Sequence, residues 1–369
     1  MTRGAPPVQL HALTGIRGVA AWLVVFYHLR LSLTALLPAP VIGVLAKGYL
    51  AVDMFFVLSG FVMWHSYAPR LAQGGRGEVG RFLWRRFARV WPLHAAVLAA
   101  FVAFAGLLAA TGRESADYPW RELPLHVLLL QNWGFTGDLA WNDPAWSISA
   151  EMAAYLVFPG LVAVLARVGG GRGRQLALAP LLAALLVGGV GALFAAQGHR
   201  VLGADITGLG LWRCLFEFTL GCVTCLAWSA QRAAGGAGAW PAWCALAAVL
   251  ALAWATGAPE TLAVPAALAC GLLALARDCG PVARMLGSRP LRWLGDISYA
   301  TYLAHVLLFI LFKIAFVDAG LQLGWGELGG FVALLLAVST GLYHGLEKPA
   351  QRWLNRHPPL FAVPAERPH

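Results

Sequence analysis

Apolar runs of about 20 residues recur from one end of this 369-residue chain to the other. A run of that length crosses the hydrocarbon core of a bilayer as an α-helix. Only 12% of the residues are charged, against roughly 25% in soluble domains, and 59% are hydrophobic. The sequence therefore predicts an all-α polytopic membrane protein whose helices form one bundle.

The hydrophobic pattern predicts ten membrane spans. Their ranges are 12–36, 42–66, 87–110, 144–168, 175–197, 207–230, 239–257, 259–277, 292–317 and 327–347. With the N-terminus in the cytoplasm, most of the 27 lysines and arginines fall on the inner side, and the outer loops are short or acidic. The positive-inside rule therefore predicts that both termini are cytoplasmic. The same asymmetry accounts for the net charge of +10, so no nucleic-acid partner is expected.

The domain organisation follows from the same pattern. Residues 1–357 are predicted to form one transmembrane domain, and residues 358–369 a short cytoplasmic tail. The largest outer segment, 111–143, contains an apolar stretch that is too short to cross the bilayer, which favours a re-entrant or interfacial helix. No soluble domain is expected at either end.

The first span, "LTGIRGVAAWLVVFYHLRLSL", contains two ionisable residues, Arg17 and His28. Eleven residues advance an α-helix by about three turns, so both side chains lie on nearly the same face, roughly 16 Å apart along the axis. A polar stripe inside a membrane helix is costly and is expected to face a site that uses it. An imidazole can accept a proton from a hydroxyl group near neutral pH, so His28 is a candidate general base.

Three further ionisable residues, Asp53, Glu151 and His305, fall at membrane depth on other predicted spans. The helix rise places Asp53 about 16 Å from the outer end of its span. For any one of them, a polar contact that only ties two helices together is the simpler interpretation. Four ionisable groups that can meet in one bundle favour a functional site.

Arginines cluster at the cytoplasmic start of the third span, in "RFLWRRFARVWP". Arg85, Arg86 and Arg89 allow two interpretations. Such a cluster can mark topology or contact anionic lipids. It can also form a guanidinium clamp for the phosphates of a cytosolic cofactor. On another predicted helix, Arg213 and Glu217 lie four residues apart and are expected to form an ion pair.

Signatures of metal and soluble-cofactor sites are missing from the sequence. The six cysteines lie in or beside apolar spans, and Cys222-x-x-Cys225 has no second pair or histidine cluster to complete a metal site. There is no G-x-S-x-G elbow, Walker A loop or dinucleotide fingerprint. No metal is therefore predicted.

Six motifs occur in order and cover nearly the whole chain. They are "LTGIRGVAAWLVVFYH", "GYLAVDMFFVLSGFVMW", "RFLWRRFARVWPLH", "PAWSISAEMAAYLVFP", "LRWLGDISYATYLAH" and "YHGLEKP". Together they resemble the signatures of acyltransferase family 3, the bacterial integral-membrane O-acyltransferases. In the first motif, Arg17, Gly18 and His28 occupy the matching places.

The resemblance implies a ten-helix core in the bacterial cytoplasmic membrane. It also implies transfer of an acyl group, usually acetyl, from cytosolic acyl-CoA to a hydroxyl of an extracytoplasmic or lipid-linked sugar, such as an exopolysaccharide. Arg17 and His28 carry over as functionally critical residues. The arginine cluster carries over as the surface that faces CoA: Arg85, Arg86 and Arg89. Some relatives add a periplasmic domain that is not expected here, which leaves open a separate periplasmic partner.

These expectations combine into one mechanism. His28, oriented by Asp53 or Glu151, is expected to act as a general base on the sugar hydroxyl or to carry the acyl group as an acyl-imidazole. Arg17 is expected to hold the donor or to stabilise developing negative charge. Five residues are expected to line the substrate route: Trp146, Ser149, Tyr299, Tyr302 and His305. Attack on a thioester requires no metal.

A different class of function uses the same residues. In a proton-coupled sugar or solute transporter, histidine and carboxylate groups near the midplane relay protons. The sequence shows no inverted repeat, and the arginine cluster suits a cofactor phosphate better than a neutral solute. Stabilisation by acyl-CoA would distinguish the two classes, because only the enzyme is expected to bind that donor.

Overall fold

The computed structural model describes residues 10–233, 238–277, 280–318 and 320–362. Within those ranges the chain is helical and has no strand. Its helices are α1 His11–Leu29, α2 Ala39–Leu45, α3 Ala51–Gln73, α4 Arg76–Ala110, α5 Leu123–Val127, α6 Ala145–Gly169, α7 Arg172–Ala196, α8 Ile206–Ala233, α9 Trp240–Thr256, α10 Glu260–Leu275, α11 Pro281–Leu286, α12 Arg289–Phe316, α13 Trp325–Leu342 and α14 Lys348–Arg356. Cys279 and the end of the predicted tail, 363–369, lie outside the described residues.

Eight helical segments in the described part of the chain are long and apolar enough to cross a membrane. They are His11–Leu33, Ala39–Gln73, Arg76–Ala110, Ala145–Arg167, Arg172–Ala196, Ile206–Ala233, Arg289–Phe316 and Trp325–Arg356. Two shorter apolar helices, α9 and α10, have 17 and 16 residues and fall on the predicted spans 239–257 and 259–277. The prediction of a helical, multi-pass membrane protein is thereby confirmed. The number of ten spans and the cytoplasmic position of both termini stay predictions.

Glycines allow α1 and α12 to pack backbone against backbone. A Cβ atom added to Gly18 would lie 2.7 Å from the backbone nitrogen of Gly295, and one added to Gly295 would overlap the α1 backbone. Small residues at such crossings are typical of membrane helices. His28 and His305 each lie ten residues further along their helices and contact one another, so the two helices run parallel. The glycine contact thus sets the register that pairs these histidines.

A second glycine contact joins α3 to α8. A Cβ atom added to Gly60 would overlap the carbonyl oxygen of Phe218, and one added to Gly221 would overlap that of Val57. Because the two backbones lie this close, buried side chains of α3 and α8 that lie one to two turns from the glycines can contact each other. These two contacts place the polar side chains of α1, α3, α8 and α12 in the interior of the bundle.

Both α14 and the described part of the predicted tail, 358–362, pack on α4. The Trp84 indole nitrogen donates a hydrogen bond to the carbonyl oxygen of Leu354 (2.9 Å), and its ring packs edge-on against that of Phe361. A Cβ atom added to Gly80 would overlap the carbonyl oxygen of Phe361. The domain boundary at residue 357 stays a prediction.

Candidate active site

A cavity of about 190 Å³ lies between α1, α3, α4, α6 and α12 and is called the central cavity below. Its polar lining is Arg17, Ser59, Arg86, Arg89, Ser147, Glu151, Tyr155, Ser298, Tyr299 and Tyr302. The structure therefore brings together six of the residues proposed from the sequence, from four different helices. Three guanidinium groups and one carboxylate share this lining, so its charge is predominantly positive.

The arginines of the central cavity are paired unequally. Arg89 forms an ion pair with the buried carboxylate of Glu347, and Arg86 donates a hydrogen bond to the hydroxyl of Tyr67 (2.7 Å). Arg17 has no hydrogen bond and no ion pair within the described residues, although it lines the cavity. A cation without a partner at membrane depth suits an anionic ligand or a group that develops negative charge.

Arg85 lies apart from the other two residues of the predicted clamp. It lines a narrow cleft together with Arg70, Glu78 and Arg81, whereas Arg86 and Arg89 face the central cavity. The structure therefore does not bring these three arginines to one surface.

Glu151 is held by two hydroxyl groups in the central cavity. Its Oε1 accepts hydrogen bonds from Ser59 (2.5 Å) and Tyr155 (2.6 Å). Tyr155 was not among the residues proposed from the sequence. Its position four residues after Glu151 was the available signal, because such residues share a helix face.

A second cavity, of about 260 Å³, lies beyond Tyr302 and is called the histidine cavity below. Its polar and aromatic lining includes Tyr27, His28, Arg30, Tyr49, Asp143, Trp146, Arg213 and Tyr302. Tyr302 lines both cavities, and its hydroxyl bonds to Ser147 Oγ (2.8 Å) and to the carbonyl oxygen of Pro144 (3.0 Å). Asp143, which directly precedes Pro144 and α6, also lines this cavity. Sequence reasoning missed Asp143 as a lining residue.

The hydrogen bonds of His28 and His305 define which ring nitrogens carry protons. His305 Nδ1 lies 2.8 Å from the carbonyl oxygen of Tyr302, which can only accept, so a neutral His305 carries its proton on Nδ1. His305 Nε2 is then an acceptor for His28 Nδ1, 3.1 Å away. His28 Nδ1 also lies 2.9 Å from the carbonyl oxygen of Val24, another acceptor. In a neutral ring the lone pair is therefore on His28 Nε2, which makes no hydrogen bond within the described residues, as a general base requires.

Neither carboxylate proposed to orient His28 contacts it. Asp53 accepts two hydrogen bonds from Arg213, at 2.6 Å each, and the two side chains are 0% and 2% exposed. Glu151 is bound in the central cavity. The orienting contact comes from His305, which the sequence proposed only as a lining residue.

The predicted ion pair between Arg213 and Glu217 is wrong. Arg213 uses Nε and Nη2 for Asp53, and its Nη1 donates to the carbonyl oxygen of Leu202 (2.7 Å). Asp53 reaches the planar guanidinium with both oxygens from the facing helix α3, a geometry that favours a two-fold hydrogen bond. Arg213 also lies 5.6 Å from the ring centroid of Trp146 and so supports the wall of the histidine cavity.

Two of the proposed lining residues have local contacts. The buried hydroxyl of Ser149 donates to the carbonyl oxygen of Leu129 (2.7 Å) and accepts from the backbone N–H of Asn132 (3.1 Å), which fastens the outer segment to α6. Ser149 lines neither cavity. Tyr299 lines the central cavity, and its hydroxyl donates to the carbonyl oxygen of Val90 (2.7 Å).

The segment that follows α4 contains α5, which is far too short to span the bilayer. His94 of α4 donates from Nε2 to the carbonyl oxygen of His126 (2.8 Å) and so ties α5 to the bundle. Burial, together with the neighbouring His94, lowers the pKa of His126 to about 4.

Acid is expected to destabilise the protein through His126. In the unfolded chain this ring accepts a proton near pH 6.5, whereas in the fold it does so only near pH 4. The unfolded state therefore binds more protons in this interval, and the free energy of unfolding falls as the pH drops through it, by at most about 3 kcal/mol. Thermal unfolding of wild type and His126→Leu at pH 7 and 4.5 measures this loss. An equal drop in Tm for both proteins would exclude His126 as its source.

Comparison with known proteins identifies the family of this chain. The model of an acyltransferase domain, acyltransferase 3, matches residues 10–344. The acyltransferase MdmB of Streptomyces mycarofaciens is 30% identical over 97% of this chain and 96% of its own length. YrhL of Bacillus subtilis, named as a proposed peptidoglycan O-acetyltransferase, is 25% identical over 91% of this chain and 54% of its own. No solved structure matches. The chain therefore belongs to acyltransferase family 3.

Proposed function

We propose that the protein transfers an acyl group, acetyl in the simplest case, from acyl-CoA to a hydroxyl of a sugar, across the bacterial cytoplasmic membrane. One observation carries the proposal. His28, whose Nε2 is the unprotonated ring nitrogen, lines a cavity that shares Tyr302 with a second cavity lined by guanidinium groups. A base beside one cavity and positive charge in the next suit a hydroxyl acceptor and an anionic donor.

The two cavities follow one face of α1. Arg17 lines the central cavity and His28 the histidine cavity, roughly 16 Å apart along the helix axis. In the proposal, the donor enters from the N-terminal end of α1 and its thioester reaches Tyr302 from the side of Arg17. The sugar enters the histidine cavity from the other end, so the donor and the acceptor stay on opposite sides of the membrane.

The reaction needs one base that also returns the proton. His28 Nε2 accepts the proton of the sugar hydroxyl, and the oxygen attacks the thioester carbonyl. The C–S bond breaks, the ester C–O bond forms, and the proton passes from His28 to the departing thiolate of CoA. His305 Nε2 accepts from His28 Nδ1 throughout and holds the ring in place. In an alternative sequence, Nε2 itself takes the acyl group as an acyl-imidazole before the sugar attacks.

The positive lining of the central cavity would stabilise the donor. Arg17 is available to bind an oxygen of the donor, because it has no partner within the described residues. The buried Nε of Arg86 also makes no hydrogen bond within the described residues. The name of YrhL refers to peptidoglycan, which supports a saccharide as the class of acceptor.

His305 is expected to act as a positioning residue. His305→Leu removes one of the two acceptors of His28 Nδ1, the one that comes from another helix, and should lower kcat about 100-fold with little change in KM. His305→Gln offers an amide oxygen near the place of Nε2 and should recover most of that loss. Steady-state kinetics of both variants measure the difference. Equal losses in the two variants would show that His305 only fills space.

The proposed function is tested with purified protein in detergent and radiolabelled acetyl-CoA. The readouts are release of CoA and transfer of label to a panel of sugars, for wild type, His28→Gln and the control His65→Gln. His65 packs against Trp228 and lines neither cavity. Turnover that requires His28 but not His65 is expected. If folded wild type shows no turnover and no thermal stabilisation by acetyl-CoA, the proton-coupled transporter becomes the better account.

A further inference from the structure

A third opening lies at the N-terminal ends of α1 and α12, separate from the two cavities, and is called the end recess below. It has a volume of about 500 Å³. Its polar and aromatic lining consists of His11, Thr14, Arg289, Arg292, Trp293 and Asp296. None of these residues takes part in the mechanism above.

The two arginines of the end recess lack anionic partners. Neither Arg289 nor Arg292 forms an ion pair within the described residues, although Asp296 lines the same recess. Arg292 Nη1 lies 3.3 Å from His11 Nδ1, which accepts because a guanidinium can only donate. Arg292 Nε is buried and has no hydrogen-bond partner within the described residues. Guanidinium groups that line an open recess without an ion-pair partner suit an anionic ligand.

An aromatic ring accompanies these guanidinium groups. Trp293 follows Arg292 on α12, lines the recess and is 40% exposed. Guanidinium groups bind phosphate oxygens with two parallel hydrogen bonds, and an exposed indole offers a face on which a base can stack. Together they match the chemistry of a nucleotide better than that of a bare inorganic anion.

The end recess lies one helical turn from the central cavity on both of its helices. On α1, Thr14 lines the recess and Arg17 lines the cavity. On α12, Asp296 lines the recess and Tyr299 the cavity. A ligand with its phosphates in the recess can therefore extend an arm toward Arg17. The cleft of Arg85 offers no such path, because that residue does not line the central cavity.

We infer that the end recess binds phosphate groups, and that these belong to the nucleotide end of the acyl donor. The inference rests on the proposed function, since it needs a donor that joins a nucleotide to a thioester. Anionic lipid headgroups are the other source of phosphate at a membrane surface. The position next to the central cavity favours the donor, because its pantetheine arm would extend into that cavity, whereas the acyl chains of a lipid would extend into the bilayer.

The test compares two thioesters on protein in nanodiscs of neutral lipid. Acetyl-CoA carries the nucleotide, whereas acetyl-pantetheine lacks it. Arg289→Gln and Arg292→Gln should each weaken the binding of acetyl-CoA by about tenfold to a hundredfold and leave acetyl-pantetheine unchanged. Arg284→Gln is the matched control, because Arg284 is an exposed arginine of α11 that does not line the recess. Unchanged affinity for acetyl-CoA, or an equal loss for both thioesters, would overturn the inference.

Two further arms separate the inference from its alternatives. Adenosine bisphosphate, the free nucleotide half of CoA, should bind wild type more tightly than Arg292→Gln. This measurement tests the recess even if the thioesters do not bind and the proposed function is wrong. The second arm uses nanodiscs of anionic lipid. If these lipids raise the Tm of wild type but not that of Arg292→Gln, and if Arg292→Gln binds the nucleotide as tightly as wild type does, the recess binds lipid headgroups. That result would overturn its assignment to the donor.

Discussion

His28→Gln is expected to lower the kcat of acyl transfer by about 100- to 10,000-fold, the range for loss of a general base. The glutamine amide fills a similar space and can still bond His305, but it offers no basic nitrogen in place of Nε2. The carbonyl oxygen of Tyr302 fixes the proton on His305 Nδ1, so Nε2 of His28 is the free basic site of this pair. The measurement is the steady-state rate of CoA release with acetyl-CoA and a sugar acceptor.

The control for this prediction is His65→Gln, which should keep full activity. Size-exclusion profiles and Tm values of both variants should match wild type, because His28 lines a cavity and does not fill the core. A folded His28→Gln protein with more than about one tenth of wild-type kcat would exclude His28 as the base.

Asp53→Ala is expected to lower the free energy of unfolding by about 3–5 kcal/mol, the cost of leaving a buried charge without its partner. Arg213 is 2% exposed and cannot turn toward water, and its remaining bond to the carbonyl oxygen of Leu202 carries no opposite charge. Denaturant or thermal unfolding in detergent, followed by tryptophan fluorescence, measures the loss.

The double variant Asp53→Leu with Arg213→Met tests whether the buried ion pair accounts for this loss of stability. Replacing both members of a buried pair by apolar residues of similar size is often neutral or stabilising, so this protein should regain most of the lost stability. A double variant that is as unstable as Asp53→Ala would show that the pair does not account for the cost.

The helical, multi-pass class could be predicted because it depends on local hydropathy and length. The shared face of Arg17 and His28 could be predicted as well, since an offset of eleven residues fixes it by helix geometry alone. The contact between His28 and His305 could not. It joins residues far apart in the sequence and depends on the register set by Gly18 and Gly295, a property of two packed backbones.

The same limit explains the other differences between expectation and structure. Helix spacing suggested Glu217 as the partner of Arg213, but the close approach at Gly60 and Gly221 brings Asp53 from α3 into a better geometry. The arginine cluster of α4 is one group in sequence but two in space. The helix passes from a narrow cleft at Arg85 into the central cavity within about one turn.

We propose an arrangement in which the donor and the acceptor reach His28 from opposite ends of the bundle. It is tested most directly in sealed proteoliposomes that hold the sugar acceptor inside, with radiolabelled acetyl-CoA added only outside. Labelled sugar is expected in the lumen of wild-type vesicles and not in vesicles with His28→Gln. Labelled sugar that forms only when acetyl-CoA and acceptor share one compartment would contradict it.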